Sequence, residues 1–346
     1  VTMASQGNAI DYGDLQRAIY DQASGSNSVL GVFAAGYGGG YYRDIEEITI
    51  ASGGTTTDYG AETLVNNAAA SGSCNAHGGL NDGYQGTRPI PFNEAGGDTG
   101  LLLGGEGSTS FARINEIKIS STGNANDFSG VDVSAFDTDG SSGRTRAFTV
   151  TGSSGPAGTQ KINYVEFRNK GTFADFGDAS VQRQGCGAAA NNTRLVAAGG
   201  GTPSNTDVID YIIMATVGNA ADFGNLTVAK KDTTGTSNNS RVIFSGGNNP
   251  SDASNVIEYA TFSTTGNTAD FGDLTVARKN SGNVNSSTRG VFMGGATPSN
   301  NDTMDYITTA TTGNATDFGN LVSGNSGNRG ASNSVRGVSM GGTAPS

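Results

Sequence analysis

The stretch Thr311–Asn320, TTGNATDFGN, sets the reading of the whole chain. It is a glycine-asparagine turn followed by an aspartate, an aromatic residue and a closing glycine. Close variants are TTGNTADFGD at 264–273, TVGNAADFGN at 216–225 and STGNANDFSG at 121–130. Looser ones are NKGTFADFGD at 169–178, ASQGNAIDYGD at 4–14 and ASGGTTTDYGA at 51–61. The seven motif aspartates are Asp11, Asp58, Asp127, Asp175, Asp222, Asp270 and Asp317, spaced 47, 69, 48, 47, 48 and 47 residues apart. Five intervals agree within one residue, which marks a tandem repeat of propeller-blade length.

Each period carries the same parts in the same order. A short apolar strand ends in Gly-Gly, as in TRGVFMGG from Thr288. A polar loop follows, then an alternating strand such as TMDYITTA, then the turn motif and another Gly/Asn/Ser-rich connection. Counterparts of the alternating strand are DIEEITI from Asp44, RINEIKI from Arg113, KINYVEF from Lys161, VIDYIIM from Val208 and VIEYATF from Val256. No segment sustains a helical period with caps, so the pattern predicts an all-β chain.

The two ends complete the pattern. VRGVSMGGTAPS at the C-terminus is the first half of a unit, and VTMASQGNAIDYGDL at the N-terminus is the second half of one. Val1-Thr2-Met3-Ala4 aligns with Ile307-Thr308-Thr309-Ala310. The expectation is one domain over residues 1–346: a seven-bladed β-propeller closed by its N- and C-terminal half-blades, which removes exposed sheet edges. One interval breaks the rhythm, through an insertion at about residues 66–98.

Composition excludes several functional classes. Twenty Lys and Arg against 31 Asp and Glu give a net charge of −11. That balance argues against nucleic-acid binding, which needs clustered cations, and against docking on anionic membranes. No apolar run approaches the length of a membrane span, and the N-terminal residues lack the regions of a signal peptide. Cys74 and Cys186 stand far apart without metal-type spacing and read as two separate thiols.

The order of strand-Gly-Gly, polar loop, strand with Asp/Glu-Tyr, turn, aromatic and a basic residue (Arg17, Arg183, Lys230 or Arg278) resembles kelch repeats. The chain departs from them in having no Trp, with Phe or Tyr in its place. Arrays such as STRGVFMGG…NDTMDYITTATTGNATDFGNL are similar to those of repeat-containing virion structural proteins of tailed marine cyanophages. The likeness covers nearly the whole chain and is strongest from about Asn191 onward. It implies a non-enzymatic appendage or tail-fibre module of a bacteriophage, assembled in the host cytoplasm. Its partners would be other virion proteins in multiple copies and a host surface glycan or protein. The alternative is a carbohydrate-binding or glycan-hydrolysing propeller of a secreted bacterial protein.

Each candidate residue carries two readings. The motif aspartates could ring one face and bind cations, or hold an Asx-type turn; the turn is the expected role. The following aromatic is expected to pack within a blade. Arginines before the Gly-Gly strand, at 146, 194, 241, 289 and 336, are expected to pair with a repeated acid such as the motif aspartate; Val29 and Leu101 mark the copies without one. Asp137 and Asp139, with Asp132 nearby and Gly140 after them, are the candidate calcium ligands, set against a plain polar connection. His77, Tyr84 and Arg88 in the insertion are the candidate partner- or glycan-binding residues, since loops on a rigid scaffold carry binding. No nucleophile, base or phosphate-loop signature accompanies them, so no cofactor is expected apart from that calcium.

Overall fold

The computed structural model describes residues 1–2, 6–27, 29–61, 71–74, 99–103, 113–118, 121, 123–130, 139–143, 145–153, 158–167, 173–201, 203–250, 252–286, 288–332 and 336–343. The described residues contain no helix, and none is long and apolar enough to cross a membrane. They form six antiparallel sheets of four or five strands, the blades of a β-propeller, and one two-stranded sheet.

The first sheet holds β1 (Ala23–Ser26), β2 (Leu30–Tyr37), β3 (Tyr41–Thr49) and β4 (Thr57–Ala61). The second holds β5 (Ser71–Cys74), β6 (Thr99–Leu103), β7 (Arg113–Lys118) and β8 (Asn126–Gly130). In the third are β9 (Asp139–Ser142), β10 (Arg146–Val150), β11 (Thr159–Glu166) and β12 (Ala174–Arg183). The fourth runs β13 (Gly187–Ala190), β14 (Arg194–Ala198), β15 (Val208–Ile213) and β16 (Ala221–Asn225). The fifth runs β17 (Thr234–Ser237), β18 (Arg241–Ser245), β19 (Val256–Thr261) and β20 (Ala269–Asp273). The sixth adds a short strand, with β21 (Gly282–Asn285), β22 (Arg289–Met293), β23 (Ala296–Thr297), β24 (Ser299–Thr308) and β25 (Thr316–Asn325). The last sheet pairs β26 (Arg329–Ser332) with β27 (Gly337–Met340).

Six complete blades are one fewer than the sequence rhythm predicts. The difference lies where the chain ends meet. Thr2 bridges Arg336, as Thr308 faces Arg289 in the sixth sheet, and among the described residues no strand other than β26 joins β27. The first strands β1, β5, β9, β13, β17 and β21 each adjoin the next, and β26 lies against both β21 and β1.

The hydrophobic core sits between neighbouring sheets. Val196, Phe223 and Leu226 of the fourth meet Val242, Phe244 and Phe262 of the fifth. Phe33, Ile48 and Ile50 of the first meet Ala331, Val338 and Met340 of the two-stranded sheet. Fully burying one such side chain contributes roughly 1.5–3 kcal/mol. The first strands are built mostly from Gly, Ala, Ser, Thr and Asn, which lets them approach closely near the axis. Ser237 donates to the Ala190 carbonyl of the neighbouring first strand, Asn285 to Ser237, Ser332 to Asn285 and Ser26 to Ser332.

Residues 71–74, within the span expected to be an insertion, form β5, and residues 75–98 lie outside the described residues; the first-to-second-strand connections of other sheets include 191–193 and 238–240. Antiparallel topology puts these first-to-second-strand connections on the same face as the Gly-Asn turns.

Candidate functional site

The repeat motif is a junction device. In every complete sheet a register shift in the third strand falls just before the residue opposite the motif aspartate, as at Ile209/Asp210 and Ile257/Glu258. Such a bulge re-aims one side chain. The motif aspartate, one per repeat, is exposed in all seven copies. The Gly224 N–H donates to Asp222 at 3.1 Å, Gly272 to Asp270 at 3.1 Å and Gly319 to Asp317 at 2.9 Å. Gly177 and Gly13 do the same to Asp175 and Asp11, each at 3.0 Å. These are Asx turns.

The turn ahead of each motif docks on the neighbouring sheet. Gly218 N–H donates to the Phe176 carbonyl, Gly266 to Phe223, Gly313 to Phe271 and Gly7 to Phe318, at 2.6–2.8 Å. The fit leaves no room for a side chain: a Cβ on Gly272 would come within 2.4 Å of the Gly313 carbonyl, and one on Gly319 within 2.5 Å of Gly7. Here glycine is required by close backbone approach as well as by φ values of +142° and +134°.

The motif aromatic joins a ladder of three side chains. Tyr211 stands edge-on to Phe223, Tyr259 to Phe271 and Tyr306 to Phe318, with centroids 5.7–5.8 Å apart. Over each tyrosine lies the strand-two arginine, Arg194, Arg241 or Arg289, at 4.5–4.7 Å. The arginines therefore do not pair with the motif aspartates. Their guanidinium groups stack on tyrosine and reach a carbonyl of the next sheet: Arg146 to Met214, Arg194 to Phe262 and Arg241 to Thr309. Arg146 adds an ion pair with Glu166 at 3.2 Å. Register puts Leu30 and Thr99, rather than Val29 and Leu101, at this position in the first two sheets. In the first sheet the Tyr59 hydroxyl takes over the task and donates to the Lys118 carbonyl.

Among the described residues, three buried ion pairs cross the junctions. Arg183 meets Asp210 at 2.8 Å, Lys230 meets Glu258 at 2.6 Å and Arg278 meets Asp305 at 2.7 Å. The longer cation pairs with the shorter acid, and the shorter cation with the longer acid. Lys230 and Glu258 are in ionic contact without an aligned hydrogen bond, and Arg183 Nε and Asp210 Oδ1 have no partner. Burial pulls the Arg278 guanidinium below its ordinary pKa, and Asp305 opposes that pull. Arg17 is not the fourth member of this set. It forms a surface pair with Asp44 at 3.1 Å. The carboxylate of Glu46 accepts from Gln16 N–H at its junction, as Asp210 does from Ser180 N–H, and that register places Ile19 where Arg183 stands. All of these groups are internal fittings of the fold.

His77, Tyr84, Arg88 and Asp137 lie outside the described residues, as does the side chain of Asp139, whose backbone belongs to β9. Among the described residues there is no group of three or more His, Cys, Asp and Glu that could hold a metal ion. Cys186 is buried, with its Sγ 3.3 Å from the Thr151 hydroxyl.

One half-buried cluster was not expected. The hairpin GYGGGYYRD at 36–44 gathers Tyr37, Tyr41 and Tyr42, and Tyr20 bridges to it. Tyr20 and Tyr37 are 5.5 Å apart edge-on, and Tyr37 and Tyr41 5.1 Å. Arg17 lies 4.9 Å over Tyr42 and holds Asp44. All four tyrosines are half-buried. Amphipathic rings with polar tips beside a charged pair suit a polar ligand with an apolar face. The adjacent YY in the sequence was the available signal. Tyr20 is remote from it and joins only through the fold. No protein-family model matches this chain, and no curated protein sequence matches it.

Proposed function

We propose that the chain is a non-enzymatic structural module of a bacteriophage virion, an appendage or fibre component serving assembly and host attachment. In this reading β26, β27 and the N-terminal segment count as a seventh, kelch-like blade that closes the ring. The observation that carries the reading is the fate of the repeated polar groups. The strand-two arginine and the buried acid are consumed in joining one sheet to the next, and the motif aspartate in holding its own turn, which suits a rigid scaffold with binding delegated to loops. The virion assignment rests on the resemblance of the array itself. Particles purified from the producing culture should contain this chain at structural copy number by mass spectrometry, and antibodies to it should decorate an appendage under the electron microscope. Particles free of the chain would overturn the reading.

The tyrosine cluster of the first sheet favours a second reading, a glycan-binding propeller. A purified monomer that binds a defined glycan, and loses it on Tyr37→Ala or Tyr41→Ala with its melting temperature retained, would favour that second reading over scaffolding alone.

A further inference from the structure

In every sheet the first strand pairs on one side only, so its other edge faces the axis of the propeller. Antiparallel pairing alternates, and every second residue on that edge turns both its N–H and its carbonyl away from the sheet. Register identifies these residues. In the fifth sheet Asn238 N–H donates to the Arg241 carbonyl, so the next residue, Ser237, faces the axis, and so does Gly235. The matching bonds, Asn191 to Arg194 and Ser286 to Arg289, put Ala190 of the fourth sheet and Asn285 and Asn283 of the sixth in the same place. In the two-stranded sheet Gly337 exchanges bonds with Val1, which leaves its partner Ser332 facing the axis, together with Gly330. Asn27 to Leu30 gives Ser26 and Ser24 in the first sheet.

The carbonyls on this edge are already taken. Ser237 Oγ donates to Ala190, Asn285 Nδ2 to Ser237, Ser332 Oγ to Asn285 and Ser26 Oγ to Ser332, at 2.9–3.5 Å. One level along, Asn283 Nδ2 donates to Gly235 at 3.3 Å and Ser24 Oγ to Gly330 at 3.1 Å. The N–H groups are left over. Among the described residues no acceptor meets the N–H of Ala190, Ser237, Asn285 or Ser332, all four of them buried. The same holds one level along for Gly235, Asn283 and Gly330. Buried N–H groups without an acceptor are rare and call for one. The turn leading into these strands shows the balanced alternative. There Asp232 N–H donates to the Gly185 carbonyl, Asn280 to Asp232 and Gly327 to Asn280, so donors and acceptors match from sheet to sheet. On the strands themselves side chains hold the carbonyls, and donors are in excess.

We propose that the axial channel binds a small inorganic anion of halide size, held with its hydration water against the N–H groups of Ser237, Asn285, Ser332 and their neighbours. Backbone amides oriented in this way carry fixed partial positive charge and form anion-binding concavities. Gly, Ala, Ser and Asn fill the axis-facing positions named above, so no carboxylate there competes for the donors. The acids closest in sequence, Asp21 and Asp232, precede the strands; Asp21 faces the charge of Arg329, and Asp232 those of Lys231 and Lys279. The anion ties the inner strands of consecutive sheets together at the level where no backbone bond joins them. This inference depends neither on the virion reading nor on the tyrosine cluster.

The test uses the purified full chain and bromide as the probe. Crystals soaked in sodium bromide should show an anomalous peak in the axial channel, level with Ser237 and Asn285. In solution the chain should broaden the bromide NMR line; a net charge of −11 keeps non-specific bromide binding low. Asn285→Asp sets a carboxylate among the donors, so it should abolish the peak and weaken bromide binding about tenfold or more. Asn285→Ser, which copies Ser237 and Ser332 at the same level, should keep both signals. Asn283→Asp repeats the charge test one level along, and serves if Asn285→Asp fails to fold. Water alone along the axis, bromide confined to the outer surface, or a channel filled by protein side chains would overturn the proposal. So would equal bromide binding by the aspartate and serine variants.

Discussion

Two junctions of the same ring, set side by side, separate what the repeat requires from what it merely uses. Between the fifth and sixth sheets, Gly313 docks on Phe271, and the buried pair Arg278–Asp305 crosses the interface. Between the two-stranded sheet and the first sheet, Gly54 docks on Tyr12 in the same way, and Thr56 follows with a bond to the Asp14 carbonyl. There, however, Glu46 is buried with only a backbone N–H and the Thr56 hydroxyl for partners, and no cation crosses at the matching register. Backbone docking of the turn is common to both junctions. The ion pair is not, in keeping with the weak net contribution of buried pairs relative to apolar replacements.

That difference predicts unequal costs for substitutions of the two buried acids. Asp305→Ala strands the Arg278 guanidinium in the interior and should cost about 3–5 kcal/mol in chemical denaturation. Replacing both members, as Arg278→Met with Asp305→Leu, should recover most of that loss. Glu46→Gln, with no cation to strand, should cost only about 1 kcal/mol. Equal losses at the two positions would refute the claim that the pair is optional.

The shared feature gives the next prediction. Gly272→Ala and Gly319→Ala both push a Cβ into a neighbouring backbone carbonyl, at 2.4 and 2.5 Å. Each should destabilise by about 1–3 kcal/mol through overpacking, with added strain from positive φ. If the contact of Gly319 with Gly7 is a true junction, the two losses will match. A loss confined to Gly272→Ala would mean that the chain ends merely lie together.

The comparison also shows what could be read ahead of the structure. Blade parts, Asx turns and the burial of the motif aromatic were legible because each is local, within one strand or turn. The cation register was not. Arg17 and Ile19 are two residues apart in sequence, and only the hydrogen bond of Gln16 to Glu46, across a junction, shows which one faces the acid. Stacking of Arg241 on Tyr259 likewise depends on cross-strand pairing, which composition does not encode.

A smaller effect separates copies of the Gly-Gly pair. Its first residue is left-handed at Gly199, Gly246, Gly294 and Gly341, with φ of 61–67°, but Ala35 holds the same conformation at 59°. An L-residue there costs roughly 1–2 kcal/mol. Ala35→Gly should recover up to about 1 kcal/mol, part being lost to the greater freedom of the unfolded chain. An unchanged midpoint in urea would show that the first sheet has relaxed around the alanine.

The smallest expected effect concerns the turn leading into the inner strands, where Asp232 and Asn280 stand at successive junctions with φ of 56° and 53°. Burial raises the Asp232 carboxyl above its usual pKa, and Lys231 and Lys279 only partly oppose it. The folded state therefore holds this proton more tightly than the unfolded chain does. Its stabilising contribution is present below the unfolded carboxylate pKa of about 3.9 and is lost as pH rises through the elevated folded value. Asp232→Asn copies the residue that the next junction already uses and has no such proton to lose. The variant should thus melt above the parent at neutral pH, and the gap should close on acidification toward about pH 3. A gap that is constant with pH would assign the gain to turn preference alone and remove Asp232 from the protein's acid response.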